Sequence, residues 1–393
     1  MISDTDLDRL KADNPCAEVA AKYVKLRRGG KGMIGPCVAC STDRQRADAT
    51  KAEYWAEGWT CAACLTGGDV IQLMACAESL DAKTDFRRII GLLNGGAALL
   101  GEAVVPVDPA ERARAESARA AARLEAEVEQ NEFRERERGR AWELWQRARP
   151  IAGTAAQAYL ELRGLDAELV GARLGFDPFA RFYVQDKPKP RLIHEGPALM
   201  ALIQRRGRFL GLHRTFIDLR ERKGKAVLTD PKGGDVNAKK VRGGKKGGHI
   251  ALLGPRDPRE LYLGEGIEKV GGVATALRRA GRDISAAAFW TSVDLGNLGG
   301  KASHKVPHPF LMNAGGKRPQ LVPGPAPDDS TPAIEIPDSV ERLVMLGDST
   351  SDRFETECAI VRASVRYARP GRAIVAAWPP AGKDFDDLLR EAA

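Results

Sequence analysis

Residues 261–270 read LYLGEGIEKV, residues 342–352 read RLVMLGDSTSD, and residues 373–389 read AIVAAWPPAGKDFDDLL. Each stretch opens on a short apolar run, as a buried strand does. Each places acids directly after that run: Glu265 in the first, Asp348 and Asp352 in the second, Asp384, Asp386 and Asp387 in the third. From Leu261 to the C-terminus the pattern is strand, loop, helix, strand, long loop, strand, helix, strand. That alternation predicts an α/β unit with a mostly parallel sheet. Acids at the carboxyl ends of successive strands in such a sheet face one crevice. Several carboxylates in one crevice suit a divalent cation, usually magnesium, and a metal held this way usually handles phosphates.

The bulk properties fit that direction. A chain of 393 residues suggests two to three domains. A formal net charge of +8 favours a polyanionic partner such as nucleic acid. The start, MISDTDLDRL, is polar and acidic, so no secretory signal is expected. No apolar run approaches the ~20 residues that span a bilayer, so no membrane association is expected. Seven cysteines, four of them in two close pairs, fit metal in a reducing compartment better than a disulfide framework. The expected location is the cytoplasm.

Those pairs are Cys37-Val-Ala-Cys40 and Cys61-Ala-Ala-Cys64. Two tight turns, each presenting two thiolates, enclose a tetrahedral Zn²⁺, and the spacing reads as a zinc ribbon. Tyr54, Trp55 and Trp59 supply aromatic packing for its small sheet. Cys16, Cys76 and Cys358 read as small buried hydrophobes. After Cys64, Asp69 is an expected N-cap. Val70, Leu73 and Met74, then Phe86, Ile89, Ile90 and Leu93, follow helical spacing.

From Asp108 to Arg149 the composition turns to Ala, Arg and Glu. Pro109 can start a helix there, and polarity on nearly all faces predicts a solvated helical linker. A new domain begins near Ile151. The helix GTAAQAYLELRGL is expected to turn Ala158, Leu162 and Leu165 to one side. ALMALIQR and FLGLHRTFID alternate as antiparallel strands. Between Arg220 and Lys246 stand ten Lys or Arg against three acids, with interspersed glycines. Glycine lets backbone N–H groups approach phosphate and lysine neutralises it. Arg214, Lys239, Lys240, Lys245 and Lys246 are the expected phosphate or template ligands, and a flexible solvated loop is the alternative. His213, between apolar neighbours, is expected to be structural. Residues 301–335, rich in Pro and Gly, are expected to form a surface insertion. The prolines at 307 and 309 argue against a helix that would align His304 with His308 on a metal.

A resemblance joins these parts. A cysteine pair followed by GGDVIQL is similar to the zinc-binding domain of bacterial DnaG-type and phage primases. Glu-Gly after one strand, an aspartate cluster after a later one, and Lys-Asp-Phe-Asp-Asp near the end resemble a Toprim domain. Residues 151–389 look most like phage- and prophage-type Toprim primases. The resemblance implies a zinc-ribbon domain (1–107), a charged helical linker (108–149), a basic α+β part of a primase core (150–258) and a Toprim domain (259–393). It implies RNA primer synthesis on a single-stranded DNA template from ribonucleoside triphosphates, with structural zinc and catalytic Mg²⁺ or Mn²⁺, and with a nucleoid-associated setting in a bacterial or phage-infected cell. Glu265 matches the Toprim glutamate, a general acid or base. Asp348 matches the first aspartate of the Asp-x-Asp metal motif, while Asp384 and Asp386 match the third motif. The second position of Asp-x-Asp holds Thr350, and Asp352 stands two residues later as the substitute acid. Glu265, Asp348, Asp352 and Asp384 are then the expected magnesium ligands. No Gly-x-x-x-x-Gly-Lys-Ser/Thr loop occurs, so a separate replicative helicase is the expected partner. The competing readings are another Toprim enzyme, a nuclease or topoisomerase, and a single-stranded DNA-binding zinc-ribbon protein with a degenerate Toprim domain.

Overall fold

The computed structural model describes residues 4–29, 32–41, 45, 52–94, 109–186, 189–313, 316 and 318–391. The chain divides into two compact units, Met1–Ala122 and Arg123–Ala393. The first contains helices α1 (Asp4–Asp13) and α2 (Cys16–Ala21). An antiparallel sheet follows, β1 (Arg27–Gly29), β2 (Gly32–Gly35), β3 (Ala52–Tyr54), β4 (Trp59–Cys61) and β5 (Gly67–Gly68), with its strands in chain order. Helices α3 (Val70–Glu78) and α4 (Phe86–Leu93) close the unit. Asp69 caps α3, its carboxylate accepting from the N–H groups of Ile71 and Gln72. Val70, Leu73, Met74, Ile89, Ile90 and Leu93 are buried in one core with Tyr54 and Trp59, so the helical spacing read in the sequence is the packing stripe.

Helix α5 (Pro109–Gln146) leads to β6 (Arg149–Pro150), α6 (Ala155–Leu162), α7 (Ala167–Gly171), β7 (Leu174–Val184), β8 (Arg191–Arg205) and β9 (Arg208–Phe216). The short β10 (Leu228–Thr229) and β11 (Asp235–Val236) form a hairpin, and β12 (Lys239–Gly243) follows. An antiparallel sheet runs β12-β9-β8-β7-β6. Pro178 lies where the β7–β8 register shifts, the place in a ladder where a missing N–H is tolerated. The end of α5 is not a solvated spacer. Ala141 is buried against this sheet, Trp142 packs its ring 5.0 Å from that of Phe209, and Glu137 pairs with Arg242 at 3.1 Å. In α6 the buried face is Ala156, Tyr159 and Leu160, while Leu162 faces solvent. The expected stripe through Ala158 and Leu162 is therefore displaced by one position around the helix, because Tyr159 has a polar partner inside.

The remaining elements are β13 (Ile250–Leu253), β14 (Glu260–Gly264), α8 (Ile267–Arg279), β15 (Ala287–Thr291), α9 (Leu295–Leu298), the hairpin β16 (Lys305–Met312) and β17 (Pro319–Pro323), β18 (Arg342–Leu346), α10 (Arg353–Tyr367), β19 (Ala373–Ala377) and α11 (Phe385–Glu391). They build a sheet of order β13-β15-β14-β18-β19, in which β14, β15, β18 and β19 are parallel and β13 is an antiparallel edge. Register is even: Gly264 lies opposite Thr291 and Leu346, and Leu346 opposite Ala377. The parallel strands thus end at one level.

The two sheets of this unit are joined through a buried charge. Glu268, in the first turn of α8, accepts a hydrogen bond of 2.5 Å from the Tyr159 hydroxyl of α6. It pairs with Lys225 at 2.9 Å and with Lys239 of β12 at 3.0 Å. Burial alone would raise its pKa, but the two ammonium groups overcome that and hold the carboxyl well below the usual range. With a depressed folded value, its stabilising contribution is present above the unfolded carboxylate pKa, about 4.3. That contribution is lost as pH falls through the lower folded value. Glu268→Ala removes the buried partner of two half-buried ammonium groups and is expected to destabilise this unit by about 3 kcal/mol. The check is the urea midpoint by tryptophan fluorescence, which should recover in part when Lys225→Met is added.

Candidate active site

The sulfur cluster is in the first unit. The Sγ atoms of Cys37, Cys40, Cys61 and Cys64 all lie within 4.8 Å of one another, with Cys37 3.7 Å from Cys64 and Cys40 3.9 Å from Cys61. Four thiols at tetrahedral spacing, two of them buried, are the donor set of a structural zinc site. The N–H groups of Ala39 and Ala63 point at the sulfurs of Cys37 and Cys61, as they do where thiolate charge must be shared. Behind them Tyr54 stacks on Trp59 at 5.9 Å, and its hydroxyl donates to the Pro36 carbonyl while accepting from Val38 N–H. Cys61→Ser is expected to abolish zinc retention, with native mass spectrometry falling from one zinc per chain to none and the first unit losing its cooperative melt.

In the second unit, the level strand ends decide where the acids stand. Glu265 follows β14 directly, Asp348 lies two residues past β18, and Asp384 immediately precedes α11. All three experience the same cation, Lys269. Lys269 Nζ lies 3.1 Å from Asp348 Oδ2 and its side chain is 3% exposed. Asp348 Oδ1 accepts from Thr350 N–H at 2.8 Å, from the Thr350 hydroxyl at 2.7 Å and from Ser351 N–H at 3.0 Å. Burial opposes ionisation of Asp348, yet Lys269 and the Thr350 donors hold its carboxyl far below the usual range. Glu265 and Asp384 behave in the opposite way. Burial raises both, Lys269 offsets only part of it, and the charge of Asp348 adds to the rise.

Sequence reasoning had placed Asp352 in this group. The structure makes it the N-cap of α10, accepting from Glu355 N–H at 2.8 Å, and sets His308 Nε2 3.0 Å from its other oxygen. His308 Nδ1 accepts from the N–H groups of Phe310 and Leu311, which fixes Nε2 as the protonated nitrogen that donates to Asp352. Asp386 lies on α11, but its side chain is outside the described residues. Among the described residues, the four cysteines are the one group of at least three potential ligands drawn this close. The acids are therefore separated rather than drawn into a closed cage, and Glu265 and Asp384 each feel both Lys269 and Asp348. Both are half-buried carboxylates, oxygen donors of the kind a hard divalent ion takes.

The basic candidates separate into two sets. Arg214 is buried in β9, donates to the Arg181 carbonyl at 3.1 Å and lies 5.5 Å from the Phe216 ring centre; burial pulls it down to about 10. Lys239 is committed to Glu268. Lys240 donates to the Tyr183 carbonyl at 3.0 Å and covers the Phe182 ring. All three have partners within this part of the chain, and Lys239 and Lys240 lie opposite Thr215 and Arg214 in the strand pairing. Lys245 and Lys246 are exposed, on the turn before β13, and Lys245 is ion-paired with Asp294. His213 is buried and held near 3 by desolvation and surrounding lysines, a structural neutral imidazole.

Three residues of the site carried no role in the sequence reading. Lys269 is the shared cation. Asp294 caps α9, pairs with Lys245 and contributes negative charge at Glu265. Asn297 donates to the carbonyls of Lys245, Gly248 and Ser292 and accepts from Gly247 N–H, pinning the glycine-lysine turn to the end of β15.

A family model described as a domain of unknown function, DUF7146, matches residues 135–252, from within α5 to β13. No curated protein matches the sequence. Among solved structures the chain is similar to a DnaG catalytic core, at 16% identity over 62% of this chain and 70% of that one, with a TM-score of 0.33. It is likewise similar to a DnaG primase catalytic domain bound to single-stranded DNA (17% identity, 62% and 71% coverage, TM-score 0.34) and to a DNA primase domain from Pseudomonas aeruginosa (16%, 62% and 71%, 0.34). No helix among the described residues is long and apolar enough to cross a membrane.

The raised pKa values of Glu265 and Asp384 have a sign. A folded carboxyl that holds its proton more tightly than the unfolded chain costs stability once ionised, and that cost vanishes as pH falls through the raised value. Glu265→Gln and Asp384→Asn are therefore expected to raise the melting temperature at pH 7 in magnesium-free buffer, the reverse of their effect on any activity. Differential scanning calorimetry at pH 7 and pH 4.5 checks this, since the gain should shrink at the lower pH.

Proposed function

We propose that this chain is a primase-type nucleotidyltransferase that synthesises short RNA primers on single-stranded DNA. What supports the reading is the even register of β14 and β18, just after which Glu265 and Asp348 follow, together with the Lys269 charge that Asp384, ahead of α11, shares with them. In this reading the Toprim-like part begins near residue 259, after a basic part from residue 150 and a zinc ribbon that ends by residue 107. Glu265 and Asp384 would hold a divalent ion, Mg²⁺ or Mn²⁺, which supplies charge neutralisation at the triphosphate. Glu265 is placed to help either with metal placement or with proton transfer from the attacking ribose hydroxyl. Asp348 holds Lys269 and the Thr350 turn in place. Lys245 and Lys246, exposed beside the pinned glycines, would meet triphosphate or template phosphates. In the zinc unit, exposed Trp55 offers a ring on which a template base can stack. A separate helicase would deliver the single strand.

A specific observation favours a second reading. Thr350 stands where a further acid is expected, and Lys269 covers part of Asp348, as they would in a single-stranded DNA-binding protein whose catalytic site has lapsed. Incorporation of labelled ribonucleotides on single-stranded templates with Mg²⁺ or Mn²⁺ separates the two. Wild-type protein should make primers, and Glu265→Gln and Asp384→Asn should each lower the yield by about 10²-fold or more while fluorescence anisotropy shows unchanged DNA binding. No primer on varied templates with either metal, with binding retained, would sink the primase reading in favour of the second.

A further inference from the structure

The Lys269 ammonium is in an unfavourable place unless something else is held constant. It occupies the third position of α8, whose N-cap is Gly266. A cation in the first turn opposes the helix dipole. Its side chain is 3% exposed, so it has also left water. Both costs are offset only by carboxylates close by. Asp348 Oδ2 lies 3.1 Å away, and Glu265 and Asp384 complete the acidic surround.

We infer that Lys269 is a resident cation filling one cation position of the acidic crevice, so that the wild-type chain binds one fewer divalent ion there than a chain lacking this ammonium. The inference rests on the primase-type reading only for the location of the metal. Formal charge supports it. Glu265, Asp348 and Asp384 carry three negative charges and Lys269 returns one positive; Asp294 and Lys239, which also act on Glu265, cancel each other, and the remaining two negative charges match a single divalent ion. Ligand capacity supports it independently. Three donors already crowd Asp348 Oδ1, and Lys269 takes a lone pair of Oδ2, so little of this carboxylate is free for a metal. Thr350 belongs to the same device. Where a second acid would add a ligand, its hydroxyl and N–H instead tie down the first.

The test is a count. Zinc-loaded full-length protein is titrated with Mn²⁺ and the free ion is followed by electron paramagnetic resonance. Lys269→Met keeps the length of the side chain and removes its charge. It is expected to bind one more tight Mn²⁺ per chain than wild type. Lys269→Arg should keep the wild-type count. Two tight Mn²⁺ in wild type, or a folded Lys269→Met with the wild-type count, would overturn the inference. Should Lys269→Met fail to fold, Lys269→Gln and the wild-type count still decide it. A wild type that binds no Mn²⁺, while Lys269→Met gains one, upholds the resident cation and removes the enzymatic reading. Failure of primer synthesis with the expected counts removes that reading alone.

Discussion

The second unit depends on one buried carboxylate. Glu268 draws Tyr159 from α6, Lys225 from the loop after β9 and Lys239 from β12 onto the first turn of α8. An ionised group at this depth is tolerated only when its partners are complete. The completeness fixes more than stability. With Glu268 turned toward the antiparallel sheet, its neighbour Lys269, one helical step of about 100° away, is directed at the strand ends of the parallel sheet. Adjacent residues of opposite charge thus perform opposite tasks: one joins the two sheets and the other sets the charge of the crevice. The position of the acids relative to Lys269 follows from that joint and from the even strand register.

Much of the local structure was legible because single residues carried it. The cysteine spacing, the Asp69 cap and the apolar stripe of α3 and α4 are all short-range signals, and short-range physics produced them. The strand ends at Gly264 and Leu346 could be read because an apolar run of about five residues bounded by Gly and acid leaves few alternatives. What could not be read was the partner of each charge. Lys239 and Lys240 look like Lys245 and Lys246 in a run of basic residues. Strand pairing places Lys239 opposite Thr215 and Lys240 opposite Arg214, and the pleat then sends Lys239 inward to Glu268. A long-range pairing decided the matter, and composition has no access to it.

Asp352 caps α10 for a local reason that the sequence did contain. Asp-Arg-Phe-Glu at 352–355 is the pattern of an N-cap followed three residues later by Glu, and the cap's carboxylate does accept from Glu355 N–H. A cap and a metal ligand compete for the same oxygens. His308, brought over by the β16–β17 hairpin, takes the other side. Lys269 also left a trace: a lysine in the first turn of a helix opposes the dipole, so its presence after Glu-Gly signalled a nearby negative cluster.

The net charge of +8 and the acidic crevice are then two halves of one electrostatic problem. In the proposed reading a polyanion would bring its phosphates toward Glu265 and Asp384, and unscreened carboxylates would repel it at the last few ångströms, where the Coulomb energy is largest. A divalent ion can answer this only when it is present. An ammonium anchored on α8 answers part of it permanently, and its position cannot drift because Glu268, the next residue, is locked between two lysines and a tyrosine. The crevice is therefore never left with its full negative charge. Burial raises Glu265 and Asp384 by more than Lys269 offsets, while Lys269 and the Thr350 donors overcome burial at Asp348 and depress it.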